Sequence, residues 1–136
     1  MTDILVSKDD GQVVTLTLND APANCLTMEM MSAIKMEIDR VNKSKDHKLV
    51  IFESSNEKIF CSGHSFNEVQ EMIKNNDKKS QELLFAECSE MLMKIRTSPK
   101  IFVAKVRGIA TAGGLGLVSI MAVSYTHLTL PTILRV

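Results

Sequence analysis

The sequence predicts an α/β fold with parallel strand pairing. Two short apolar runs, residues 49–52 and Ile101–Val106, have strand length, and the first is continuous, the pattern of a strand covered on both faces. A segment with apolar residues at helical spacing precedes the first run, over 27–41, and another, over 80–96, separates the two. Strands that alternate with helices are joined by crossovers, and crossovers make parallel sheets.

The elements follow in order. Residues 4–6 and 12–18 flank a Lys-Asp-Asp-Gly turn and read as a β-hairpin, with Val14, Leu16 and Leu18 on one face. Residues 19–24 form a loop around Pro22. Thr27 caps a helix whose inner face carries Met31, Ile34, Ile38 and Val41. A polar turn at 43–48 leads to the strand at 49–52. Ser65 and Glu68 have capping-box spacing, so a short helix starts after His64 with Phe66, Val69 and Ile73 facing inward. Residues 75–79 are a solvated loop. The helix over 80–96 buries Leu84, Cys88, Met91 and Ile95, its methionines filling core. Pro99, the strand Ile101–Val106 and a glycine turn come next.

A chain of 136 residues makes one domain with room for a core. Sixteen basic and sixteen acidic residues leave no surplus charge to grip nucleic acid or anionic lipid, so neither is an expected partner. Cys25, Cys61 and Cys88 are an odd number without metal spacing; reduced thiols and no metal are expected. The start, MTDILVSKDD, has neither signal nor transit character, and no apolar run reaches membrane-span length. A cytoplasmic location is the corresponding expectation.

Two stretches carry the chemistry. FCSGHSF at 60–66 and VRGIATAGGLGLV at 106–118 each place a glycine turn after an apolar strand. Such turns aim unpaired backbone N–H groups at one spot, which can hold a phosphate, a carboxylate or a developing oxyanion. The plainer role of such glycines is to let a strand and a helix pack closely. A dinucleotide-binding turn is the competing enzyme class. It is disfavoured because Gly108, Gly113, Gly114 and Gly116 miss the required spacing and no ribose-binding acid follows.

Together, FCSGHSFNEV and VRGIATAGGLGLV, about fifty residues apart, resemble the paired signatures of the crotonase (enoyl-CoA hydratase/isomerase) superfamily. The resemblance runs from near Val13 to about Met121. It implies a crotonase-like (ClpP/crotonase) α/β spiral of ββα units, truncated to the N-terminal half, with a partial domain over 1–121. Residues 122–136 would be a non-homologous tail. Their run SYTHLTLPT resembles a translated sequencing adapter, and Pro131 falls where a packed element should continue.

The resemblance further implies an acyl-CoA thioester as substrate and an enolate held by two backbone N–H groups, those of His64 and Gly113, with Gly114 beside them. The His64 imidazole would pack the loop or meet solvent; contact with substrate is the alternative. In the family the loop before the first long helix clasps the CoA adenine, which places Ala23 and Cys25 against CoA. A lysine common early in that loop is replaced by Ala21. Ser62, Gly63, Ser65 and Phe66 fall on acyl-CoA-lining positions, where simple turn formation is the alternative. No cofactor is implied beyond the coenzyme A of the substrate.

A hydratase needs two glutamates as general base and general acid. By the resemblance the first would stand at Gly116 and the second about twenty residues later, yet no Asp or Glu follows Glu90. The similarity is therefore to the branch that keeps the oxyanion hole and lacks the first glutamate, as in enoyl-CoA hydratase domain-containing proteins. Whether the chain is an enzyme is left open. A non-catalytic acyl-CoA binder or a protein-interaction member is the alternative. A full-length parent is expected to form a trimer or hexamer; this chain is not. It is expected to leave Leu115, Leu117, Val118, Ile120 and Met121 partly uncovered and to be poorly stable.

Overall fold

The computed structural model describes residues 3–126. Strand β1 (Leu5–Asp10) turns into β2 (Val13–Leu18) through Gly11 and Gln12 alone, with Asp10 opposite Val13. Gly11 supplies the positive φ, +61°, that so tight a reversal requires. The reversal is complete in two residues, so Lys8, Asp9 and Asp10 belong to the strand and not to the turn predicted from sequence. They lie exposed along the sheet edge, where charge discourages pairing with another chain. Helix α1 (Met28–Lys43) is capped as expected, the Thr27 hydroxyl accepting from the Met30 N–H at 3.0 Å. Met30, Met31, Ile34, Ile38 and Val41 are its buried face.

Strand β3 (Leu49–Ser54) pairs parallel with β2. Val50 and Phe52 are fully buried, whereas Leu49 and Ile51 are only half-buried. The expected two-sided burial is thus corrected to one covered face. Strand β4 (Ile59–Cys61) and helix α2 (Phe66–Lys74) follow. In α2, Phe66 is 76% and Ile73 62% exposed, while Val69 and Met72 pack on the core. The helix lies at the margin of the helical layer with α3 as its chief neighbour, so a narrower face is covered than its apolar pattern offers.

Helix α3 (Lys78–Thr97) starts earlier than the apolar stripe suggests. The Asp77 carboxylate accepts from the Ser80 N–H and fixes the start. Leu84, Met91 and Ile95 are buried and Cys88 half-buried, as the spacing predicts.

Strand β5 (Ile101–Val106) pairs parallel with β3. A short β6 (Ile109–Ala110) pairs parallel with β4, making a separate two-stranded sheet. Helix α4 (Gly113–Ser119) then leads to β7 (Val123–Thr126), parallel to β5. The chain therefore continues past Met121 as a strand of the main sheet, whose order is β1-β2-β3-β5-β7. The expectations for 127–136 lie outside the described residues. Leu117, Val118 and Met121 are buried within the chain itself; Leu115, at 56%, is the exposed apolar residue of α4. The expected partial uncovering thus holds for Leu115 and the half-buried Ile120 and is corrected for Leu117, Val118 and Met121. One core joins Leu16, Leu18, Ile34, Phe52, Met91 and Phe102 across sheet and helices. Each such side chain contributes about 1.5–3 kcal/mol on burial.

Candidate functional site

The β4–β6 pair brings the two glycine turns together. Cys61 stands opposite Ala110, and the Thr111 N–H donates to the Cys61 carbonyl at 3.1 Å. Beyond this pairing the chains diverge, one through Gly63 into α2, the other through Ala112 into α4. A Cβ on Gly63 would lie 2.8 Å from the Gly113 nitrogen, and Gly63 also has φ of +93°. A Cβ on Gly114 would lie 2.1 Å from the Cys61 carbonyl oxygen. Both positions admit only glycine, so close packing is one of their roles.

The same closeness juxtaposes two backbone donors. Gly114 and Leu115 donate back to the Thr111 carbonyl and Gly116 to that of Ala112. Among the described residues, neither the His64 nor the Gly113 N–H has a backbone acceptor. Gly114, grouped with them from sequence, has its own N–H engaged by the Thr111 carbonyl at 2.8 Å. Ala112, at φ +50° and ψ −123°, holds a conformation that a side chain disfavours, which strains the turn that aims Gly113.

The loop before α1 lies along the first turn. The Ser62 N–H donates to the Ala23 carbonyl at 3.1 Å and the Leu26 N–H to the Gly63 carbonyl at 2.7 Å. Cys25 Sγ sits 3.5 Å from Ser62 Oγ. Ala23, Cys25, Ser62, Gly63 and His64 are thus one laced strip. Ser65 caps α2, its hydroxyl accepting from the Glu68 N–H at 3.3 Å. The Glu68 carboxylate turns to the Met28 N–H at 3.4 Å and does not complete a reciprocal box. Phe66 stands next in sequence but exposed.

The imidazole of His64 is held on two sides. Its Nδ1 lies 3.2 Å from the Leu26 carbonyl oxygen, which can only accept, so the proton is on Nδ1. The ring of Phe85, from α3, meets it edge-on with centroids 5.7 Å apart. Its Cδ2 is 3.7 Å from where a Gly113 Cβ would stand. Phe85 gave no signal in the sequence, where it reads as an outward residue of an amphipathic helix.

Asn24 is the other residue the sequence did not single out. It is the buried polar residue among those described, with φ of +48°. Its Oδ1 accepts from the Asp20 N–H at 2.7 Å; its Nδ2 donates to Ser54 Oγ at 2.8 Å and to the Phe60 carbonyl at 3.0 Å. It pins the loop to the ends of β3 and β4. Its signal was there in part, since asparagine tolerates positive φ and bonds locally in turns.

Burial pushes the Cys61 thiol up to about 11 and the Cys88 thiol upward as well, which keeps both protonated and unreactive. Among the described residues no group of three or more His, Cys, Asp or Glu could hold a metal ion, and no helix is long and apolar enough to cross a membrane. A Cβ on Gly116 would meet nothing within 4 Å, so the position is open to a side chain and carries none.

Parallel strands joined by helical crossovers, with a second small sheet pairing β4 and β6, are the crotonase type of fold. The chain belongs to the enoyl-CoA hydratase/isomerase family, whose sequence profile matches residues 13–125. It is 31% identical over 112 residues to the rat (Rattus norvegicus) mitochondrial enoyl-CoA hydratase domain-containing protein 3, a match covering 82% of this chain and 36% of that protein. It is 32% identical over 108 residues to the zebrafish (Danio rerio) mitochondrial 3-hydroxyisobutyryl-CoA hydrolase, covering 79% and 28%. Among solved structures, an enoyl-CoA hydratase of Mycobacterium smegmatis superposes with a TM-score of 0.84 at 31% identity, covering 92% of this chain and 48% of that one. The chain thus spans about a third of the curated relatives it matches and half of the solved structure, a truncated crotonase fold.

Proposed function

We propose that the chain binds an acyl-CoA thioester with the thioester oxygen between the N–H groups of His64 and Gly113, which stabilise the enolate form. The observation behind this reading is the β4–β6 pairing, which packs Gly63 and His64 against Gly113, with no backbone acceptor for the His64 or Gly113 N–H among the described residues. Fixed donors do not have to reorganise as negative charge develops. Ala23 and Cys25, laced to Ser62 and Gly63, would line the CoA side; Ser65 and Phe66 would lie toward the acyl group. The names of the relatives, a 3-hydroxyisobutyryl-CoA hydrolase and an enoyl-CoA hydratase domain-containing protein, support the substrate class.

Gly116 favours a second reading, binding without hydratase turnover, because no carboxylate stands there to activate water. One experiment addresses both. Calorimetry with butyryl-CoA and with an enolate-mimicking CoA analogue is expected to show binding, with the analogue tighter. Gly113→Pro, which removes one donor, is expected to weaken analogue binding by about 3 kcal/mol. Gly113→Ala keeps the N–H and serves as control, its Cβ meeting Gly63 and Leu26 at ordinary contact distance, 3.4 Å. Crotonyl-CoA absorbance is expected to stay constant. Equal analogue affinity in wild type and Gly113→Pro would overturn the oxyanion assignment.

A further inference from the structure

We propose that His64 acts through its side chain as well as its backbone: its Nε2 is the base that removes a proton from the carbon next to the thioester carbonyl. This inference rests on the acyl-CoA reading above and adds a catalytic group to it.

Three features of the site combine here. By the family resemblance, the position where a carboxylate base would stand is Gly116. The acid nearest in sequence, Glu68, is turned away to the Met28 N–H. Meanwhile His64 presents a ring fixed in one tautomer. Nδ1–H donates to the Leu26 carbonyl at 3.2 Å, so in the neutral ring the unshared pair is on Nε2. The ring is clamped by Phe85, and the Cδ2 bonded to Nε2 is the ring atom packed toward Gly113. A base and two oxyanion donors are thus contributed by the same pair of turns.

The step balances within the site. Nε2 takes the α-proton, the C–H pair becomes the enolate double bond, and the carbonyl π pair moves to oxygen, facing the His64 and Gly113 N–H groups. The imidazolium so formed keeps its Nδ1–H bond to Leu26, which stabilises the charge. Return of a proton from Nε2 restores the acyl-CoA. No oxidant or second substrate is consumed. The activity is α-proton exchange on any acyl-CoA with an α-hydrogen, and Gly116 leaves no group to carry it on to hydration.

The test uses the whole 136-residue chain in D2O with saturating butyryl-CoA, so that a change in affinity does not enter the rate. Deuterium at the α-carbon is followed by mass spectrometry. The wild type is expected to incorporate it, and His64→Ala to be slower by about a hundredfold or more. Free imidazole in the buffer is expected to restore part of the rate, which a merely structural histidine would not allow. His64→Asn is the second variant: its amide can still donate to the Leu26 carbonyl, but it offers no base at the Nε2 position. Binding of butyryl-CoA with no wild-type exchange, or exchange in His64→Asn as fast as in wild type, overturns this proposal alone. Absence of binding by calorimetry overturns the acyl-CoA reading and this inference with it.

Discussion

At the scale of single residues, the site depends on a few polar atoms held where water cannot replace their partners. Asn24 is the clearest case. Replacing it by alanine leaves the Phe60 carbonyl and the Asp20 N–H without their partners in a buried setting and places a Cβ-bearing residue at φ +48° without the local bonds that excuse it. A loss of about 3 kcal/mol in urea unfolding is expected. Asn24→Gly relieves the backbone but restores no hydrogen bond, so it should recover only a fraction. If Asn24→Ala were within 0.5 kcal/mol of wild type, the loop would not be pinned in this way. His64 follows the same logic, since a single carbonyl, that of Leu26, decides which nitrogen carries its proton.

At the scale of elements, α4 offers a contrast between two glycines two positions apart. Gly116 faces open space, so Gly116→Ala should raise stability by up to about 1 kcal/mol through helix propensity. Gly114 rests on the Cys61 carbonyl, so Gly114→Ala should cost at least 1–3 kcal/mol and push the two turns apart. Thermal unfolding of the two variants gives opposite signs if α4 packs as described. The link between β1 and α1 is electrostatic. Arg40 makes two hydrogen bonds of 2.9 Å to the Asp9 carboxylate and holds it below the usual carboxylate range, with His47 adding a contact at 3.1 Å. A depressed folded value means the stabilisation is present above the unfolded value and lost as pH falls through the folded one. The pair is solvent-accessible, so Asp9→Asn should cost only about 0.5–1 kcal/mol at neutral pH. Wild type and variant should converge in acid below the depressed value; a gap unchanged by acid would exclude this ion pair as its source.

At the scale of the whole molecule, the chain builds a closed core yet leaves much apolar surface open. Phe66, Ile73, Leu83, Phe85, Met93 and Leu115 are all exposed on the helices. Surface of this kind favours association. The chain is expected to unfold cooperatively in urea but to sediment as a concentration-dependent mixture rather than as a closed trimer. A sharp trimer peak at all concentrations would show that these residues meet in a defined interface. The core itself was legible from sequence because its stripes are periodic. Val14, Leu16 and Leu18 alternate, and Ile34, Ile38 and Val41 recur at helical spacing, so local geometry alone assigns them inward. Phe66 and Ile73 share that periodicity and are exposed, because a stripe reports what a helix can bury and not what is there to cover it.

The sequence by itself determined strands β1, β2, β3 and β5, the helices, the caps at Thr27 and Ser65, and the two glycine turns whose order and separation carry the family resemblance. Those are short-range properties, set by propensity, hydrogen-bonding side chains and backbone freedom over a few residues. Only the tertiary structure decided how the turns meet. β4 and β6 have three and two residues, too few to show a strand pattern, and they pair across nearly fifty positions of chain. That pairing packs Gly63 and His64 against Gly113. The contacts of Leu26 and Phe85 with the His64 ring, and of Asn24 with Ser54 and Phe60, likewise join residues remote in sequence. No local rule encodes such contacts, because their free energy exists only once the separate elements have been packed against one another.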